Sequence, residues 1–302
     1  MPLIVQGIGE IGGRTPVARQ DQRFSKFDEI RPVTPTIGAE IHGVDLGQEL
    51  GNQTFQEIHD ALMQHQVLFF RDQELDLDKH KAFGKRFGPL AVHPASPGPE
   101  GHPEVVVVHA DAETNRDAGR IWQSTHWHTD VSCVDEPPLG SVLHLNTIPS
   151  SGGDTLFASM SAAYEALSDR MQTYLEGLTA THDGERVWRG RYSNQGIDDS
   201  GSVYPKATHP VVRTHPVTGR KGIFVNAVFT TQINEVPRDE SDDILAFLYK
   251  HCTKPLFQVR FRWKKNSIAF WDNRCVQHIA LWDYFPETRS GYRITIEGDR
   301  PT

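Results

Sequence analysis

A chain of 302 residues with 37% hydrophobic and 23% charged residues can bury a substantial core, as one large domain or two small ones. A formal net charge of -8 with no block of Lys or Arg excludes a nucleic-acid partner, and no apolar run approaches the roughly 18 residues of a membrane span. Met1-Pro2-Leu3-Ile4-Val5-Gln6-Gly7 lacks the basic and long apolar regions of a secretory signal, and Cys133, Cys252 and Cys275 form no CxxC pattern, which argues for a reducing cytoplasm without a disulfide or zinc framework.

Residues 1–24 are Gly-rich and polar and read as a flexible N-terminal arm, leaving 25–302 as a single domain. Residues 37–46 read as a short strand with a glycine break, and Phe55, Ile58 and Leu62 at helical spacing predict a helix over 54–63. Residues 67–70 predict a buried strand, 76–87 a second helix, and the β-branched run 104–108 another strand. Further short β runs fall at 141–145, 208–214, 221–225, 258–262, 267–271 and 292–296, with helices near 159–166, 169–177 and 239–252. Residues 184–206 read as a long surface loop of the kind that often covers a site. Many short strands between turn residues predict a mainly β fold with helical insertions, a barrel or jelly roll rather than a parallel sheet.

Chemistry concentrates in Thr125-His126-Trp127-His128-Thr129-Asp130 and in His278, at the end of Trp271-Asp272-Asn273-Arg274-Cys275-Val276-Gln277-His278. On a strand, residues i and i+2 share a face, so His128 and Asp130 would converge on one ion while the fold brings in His278. Two imidazoles and one carboxylate are the set that holds non-haem Fe(II) with three positions open. His126 has the same parity, and a His126/His128 pair completed by Asp130 or His278 would suit a zinc hydrolase. A non-catalytic binding module on the same barrel is a third reading. The carboxylate favours iron, because a metal that activates oxygen and accepts a bidentate anion gains from one anionic ligand.

Four segments in register, Trp127-His128-Thr129-Asp130-Val131, Pro149-Ser150-Ser151-Gly152-Gly153-Asp154-Thr155, His209-Pro210-Val211-Val212-Arg213-Thr214-His215-Pro216 and Trp271 through His278, resemble the taurine dioxygenase family. This is the Fe(II)- and 2-oxoglutarate-dependent group that also contains the aryloxyalkanoate dioxygenases. The resemblance runs from about Ile37 to Pro301 and implies a double-stranded β-helix with iron at one mouth, hydroxylation by O2, and release of succinate and CO2.

Carried over by position, the resemblance makes His128, Asp130 and His278 the iron ligands. Thr155 and Arg289 would bind the distal carboxylate of 2-oxoglutarate, and Arg293 would lie near both the co-substrate and the substrate anion. A guanidinium fork meets a carboxylate bidentately and a threonine hydroxyl adds a hydrogen bond, so these residue types suit that task. His93 matches the histidine that sulfonate-using members place on substrate. Ser96 and Ser124 stand where the taurine enzymes have a tyrosine and an asparagine, leaving room for something larger. The expected substrate is a small organic anion, either a sulfonate such as taurine or an alkylsulfonate. The stretch Gly219-Arg220-Lys221-Gly222-Ile223-Phe224-Val225-Asn226 also resembles the aryloxyalkanoate branch, whose carboxylate substrates are the alternative. A homo-oligomer, dimer or tetramer, is expected.

Overall fold

The structure is a computed structural model and describes residues 24–96, 98–113, 126–190 and 198–302. In chain order its first half contains β1 (Glu29–Pro32), β2 (Ala39–His42), α1 (Asn52–His65), β3 (Val67–Phe70), α2 (Leu77–Lys85), β4 (Val105–Ala110), β5 (Gly140–Thr147) and β6 (Thr155–Ser159). There follow α3 (Met160–Glu165), α4 (Asp169–Leu175), β7 (Thr179–Asp183), α5 (Glu185–Trp188), β8 (Lys206–Pro210), β9 (Val212–Thr214), β10 (Lys221–Ile223) and β11 (Thr230–Ile233). The chain closes with α6 (Arg238–Cys252), β12 (Gln258–Phe261), β13 (Ser267–Asp272), β14 (Val276–Ala280) and β15 (Arg289–Ile296).

A seven-stranded sheet runs in the order β1-β2-β3-β13-β5-β15-β4, antiparallel throughout except where β2 lies parallel to β3. A smaller sheet, β12-β6-β14, is its partner. The alternation of strand side chains decides how the layers stack. Leu68 and Phe70 of β3, Ile268 and Phe270 of β13, and Ile294 and Ile296 of β15 share one apolar cluster with Ile58 and Leu62 of α1 and Phe83 of α2. The residues of opposite parity, Val67, Phe69, Ala269 and Trp271, pack instead with Phe157, Val259, Phe261 and Val276 of the small sheet. Phe69 stacks flat on Phe261 with centroids 4.0 Å apart. Each such ring taken out of water contributes about 1.5–3 kcal/mol.

The same alternation carries Arg289 and Arg293 into the space between the two sheets, because Ile294 and Ile296 claim the opposite face of β15. Pairing of β15 with β5 shifts register between Ser290 and Gly291. A side chain at Gly291 would meet the His144 carbonyl oxygen at 2.0 Å, so only glycine lets the shifted strand lie so close. A third layer, with α3, α4 and α6 around Met160, Leu175, Leu245 and Leu248, backs the small sheet.

Several expectations change. Phe24, the last residue of the expected arm, is buried and stacked on Phe27; residues 1–23 lie outside the described residues. The expected surface loop over 184–206 begins as α5, whose Trp188 is fully buried against Phe229, because an indole of that size has more to gain from the core than from solvent; residues 191–197 lie outside the described residues. β1, β6, β7, β11 and β14 escape the sequence reading because their short polar-apolar runs become strands only through their partners. Among the described residues no helix is long and apolar enough to cross a membrane.

Candidate metal centre and anion cradle

The strand expected over 126–130 is replaced by a single contact: only His128 bridges β14, exchanging backbone hydrogen bonds with His278 at 3.1 and 2.8 Å. Asp130 lies in the turn that follows, so strand parity is not what makes the ligands converge. Val131 takes a left-handed φ of 48°, a costly conformation for a β-branched residue, which turns the chain away immediately after Asp130. The outcome is a buried group in which ligand atoms of His128, Asp130 and His278 all lie within 4.8 Å of one another. Nε2 of each histidine is 4.0 Å from Asp130 Oδ1.

Protonation states suit a metal. His128 Nδ1 donates to the His126 carbonyl at 2.7 Å, which leaves the Nε2 lone pair facing Asp130. Burial, followed by the neighbouring His128, pushes the His278 pKa well below its ordinary 6.5, so this imidazole is neutral. Burial alone would raise the Asp130 pKa, but Arg293, His278, His128 and the Ser141 hydroxyl together hold it well below the usual carboxylate range. A neutral His278, a His128 whose Nε2 faces Asp130 and one ionised carboxylate fit a divalent ion with open positions.

A second group, His215, Asp272 and Cys275, has similar residue types at similar spacing. The lone pairs of its histidine and aspartate are already engaged. His215 Nδ1 accepts from the backbone N–H groups of Val217 and Thr218, so its Nε2 carries the proton and donates to Asp272 Oδ2 at 3.0 Å. Arg274 grips Asp272 with Nε at 2.9 Å and Nη2 at 2.7 Å, and burial raises the Cys275 pKa well above its ordinary 9.0. This group is a structural ion pair.

Thr155 opens β6, and its Oγ1 accepts from Trp263 Nε1 at 3.0 Å and Arg289 Nη2 at 3.2 Å. Arg289 Nε donates to the Gly153 carbonyl at 3.0 Å. Arg289 is 3% exposed, and among the described residues no carboxylate lies within 4.0 Å of it. Burial lowers its pKa from 12.5 to about 10. A buried cation without a counter-ion is costly, and an anionic ligand seated against it removes the cost.

Arg293 Nη1 donates to Asp130 Oδ1 at 2.7 Å, while its buried Nε has no hydrogen-bond partner. On the same strand, Thr295 lines a cavity of about 150 Å3 together with His93, Pro94, Val131, Val134 and Pro138. His93 Nδ1 accepts from Ala95 N at 3.1 Å, and its ring meets Trp188 edge-on at 5.4 Å. Ser96 is half-buried on the same loop, and Ser124 lies outside the described residues. His126 is not part of the metal group; its side chain lines a separate cavity of about 290 Å3 with Trp127, Tyr249, Lys250 and Gln277. Trp263 in the anion cradle, and Ser141 and Asn273 beside Asp130, were not among the candidates. The Trp271-Asp272-Asn273-Arg274 motif was the available signal for Asn273.

The family model described as "Taurine catabolism dioxygenase TauD, TfdA family" matches residues 29–295. An alkylsulfatase of Acinetobacter baylyi is 34% identical over 91% of this chain and 86% of its own length. An alpha-ketoglutarate-dependent sulfate ester dioxygenase of Pseudomonas putida is 33% identical over 90% of each chain. The crystal structure of a taurine dioxygenase from Burkholderia xenovorans superposes with a TM-score of 0.78 at 36% identity, covering 91% of this chain and 90% of that one.

Proposed function

This chain belongs to the taurine catabolism dioxygenase TauD, TfdA family, and we propose that within it the protein is an Fe(II)- and 2-oxoglutarate-dependent dioxygenase acting on a small organic sulfo-anion. His128, Asp130 and His278 would hold the iron, and Thr155 and Arg289 the distal carboxylate of 2-oxoglutarate. Arg293 would meet the substrate anion and the inner end of the co-substrate, with His93 and Ser96 on the substrate side and Ser124 adding to that wall. Bound iron, 2-oxoglutarate and O2 supply hydroxylation of a C–H bond coupled to decarboxylation of the co-substrate to succinate and CO2.

The chain's own residues do the positioning. Asp130, held ionised, leaves the centre with net positive charge that favours a dianionic co-substrate. Arg289 and Thr155 fix its far end. Val131, next in the chain to Asp130, lines a cavity with Val134 and Pro138, apolar walls that favour an alkyl group over water, while Glu136 and Glu297 also border it. Hydroxylation at the carbon bearing sulfur or sulfate oxygen gives a product that collapses to an aldehyde and frees sulfite or sulfate.

The observation that carries this reading is Arg289, a buried cation with a hydroxyl beside it and, among the described residues, no carboxylate within 4.0 Å. Sulfo-anions are favoured over carboxylates because both curated relatives above are named for sulfate-ester chemistry. The same reading takes the two facing sheets as a double-stranded β-helix in one domain over 25–302, working as a cytoplasmic homo-oligomer. The test is substrate-dependent succinate release with Fe(II), across alkylsulfonates, alkyl sulfates, taurine and aryloxyalkanoates. Release with a sulfo-anion supports the proposal. Turnover with aryloxyalkanoates alone overturns the substrate class, and no turnover with any anion overturns the activity.

A further inference from the structure

A run of hydrogen bonds behind Asp130 sets which of its two oxygens faces the metal site. Asn273 is 2% exposed and sits where the β13–β14 turn meets the 126–131 segment. Its Oδ1 accepts from Trp271 Nε1 at 2.8 Å and from the Asp130 backbone N–H at 3.3 Å. Its Nδ2 donates to Ser141 Oγ at 3.0 Å. An indole N–H can only donate, so Trp271 fixes the orientation of the amide: oxygen toward the indole, nitrogen toward Ser141. Ser141, fully buried, receives that N–H and directs its single proton to Asp130 Oδ2 at 2.7 Å. Thr129 Oγ1 donates to the Asn273 carbonyl at 2.7 Å, tying the backbone of the ligand turn to the same residue.

We propose that Asn273, acting through Ser141 and oriented by Trp271, is a positioning residue that holds Asp130 for ligation through one oxygen only. The proposal rests on the reading of Asp130 as a metal ligand. With Oδ2 held by Ser141, Oδ1 is the oxygen 4.0 Å from Nε2 of both histidines, and there it also accepts from Arg293 Nη1 at 2.7 Å. A carboxylate free to chelate with both oxygens would occupy a further coordination position, one that a bidentate co-substrate and O2 require. The hydrogen bonds form a series, so breaking either link releases the same carboxylate oxygen.

The experiment measures Mn(II) affinity by equilibrium dialysis, and 2-oxoglutarate affinity for the Mn(II)-loaded protein, in Ser141→Ala, Asn273→Ala, their double variant and Asp130→Ala, with melting temperature recorded for each. Ser141→Ala removes one oxygen from a filled site and is the variant expected to fold whatever happens to Asn273. Loss of a hydrogen bond to a ligand shifts metal affinity by roughly tenfold to a hundredfold. Ser141→Ala and Asn273→Ala are each expected to change Mn(II) or 2-oxoglutarate affinity by about tenfold or more, and the double variant by no more than the larger single effect. Lower melting temperatures with both affinities unchanged would reduce the network to a structural one and overturn the proposal. Full additivity in the double variant would refute action in series. Asp130→Ala is expected to abolish Mn(II) binding; retained binding there would remove the ligand reading itself, and the proposal with it.

Discussion

Replacing Arg289 with methionine separates the cost of a buried charge from its use. Burial moves the Arg289 pKa from 12.5 to about 10, a penalty on the charged form of about 3 kcal/mol at about 1.4 kcal/mol per unit. Against it stand the hydrogen bonds to Gly153 and Thr155 at 3.0 and 3.2 Å, together worth about 1–3 kcal/mol net. The two nearly cancel, so the free Arg289→Met protein is expected to melt within a few degrees of the wild type. Binding of 2-oxoglutarate is expected to behave otherwise. Losing two charge-assisted hydrogen bonds of about 1.5–3 kcal/mol each weakens the co-substrate by a hundredfold or more. The assay is a thermal melt of the Mn(II)-loaded protein with and without 2-oxoglutarate. At about one hundred times its Kd the ligand adds about 2.7 kcal/mol to the wild type, a shift of several degrees that the variant should lose. A variant that keeps the shift, or whose free form melts far below the wild type, would refute the reasoning and mark Arg289 as a structural tie.

Other expectations follow from the same structure. Asp272→Asn leaves Arg274 and His215 without their buried partner and is expected to cost about 3–5 kcal/mol, read as a lower urea midpoint; an unchanged midpoint would contradict the ion-pair assignment. Burial, with His144 and His209 as respective neighbours, lowers the pKa of His80 and His182 to about 3. Both are neutral in the fold yet protonate in the unfolded chain below about 6.5, so their stabilising effect is whole above that pH and is lost as pH falls toward 3. The slope is up to about 1.4 kcal/mol per pH unit for each, and His182→Gln should flatten a stability profile measured between pH 7 and 5. Phe157→Ala opens the space between Phe69 and Trp271, whose rings lie 5.7 and 5.5 Å away, and is expected to cost about 3–5 kcal/mol in denaturant unfolding.

Most of the central strands could be read from the chain because their pattern is local. Val67–Phe70 and Ser267–Asp272 are apolar on both faces and bury both, one against the helices and one against the small sheet. The helices near Asn52–His65 and Arg238–Cys252 were equally clear from their apolar spacing. Thr155–Ser159 and Val276–Ala280 were not, since Val276–Ala280 is a strand only beside Thr155–Ser159, which itself is completed by Gln258–Phe261 on its other edge. Within the site, the residue types were legible but the means of convergence was not. The 126–130 segment forms a bridge and a turn instead of a strand, since Val131 turns the chain away directly after Asp130.

The sequence by itself determined the candidate inventory: two histidines and an aspartate of the kinds that hold a metal, a threonine and two arginines that a family resemblance assigns to anions, and strand parity that places both arginines on one face. Only the tertiary structure decided which groups are available. His128, Asp130, His278 and His215, Asp272, Cys275 are alike as triplets of residue types, and both gather within ligand distance. In the first, a backbone carbonyl accepts the Nδ1–H of His128 and turns its Nε2 toward Asp130; in the second, backbone N–H groups engage His215 Nδ1 and Arg274 grips both oxygens of Asp272. A lone pair is free or engaged according to what the fold places beside it, and those neighbours come from strands and turns far away in the chain.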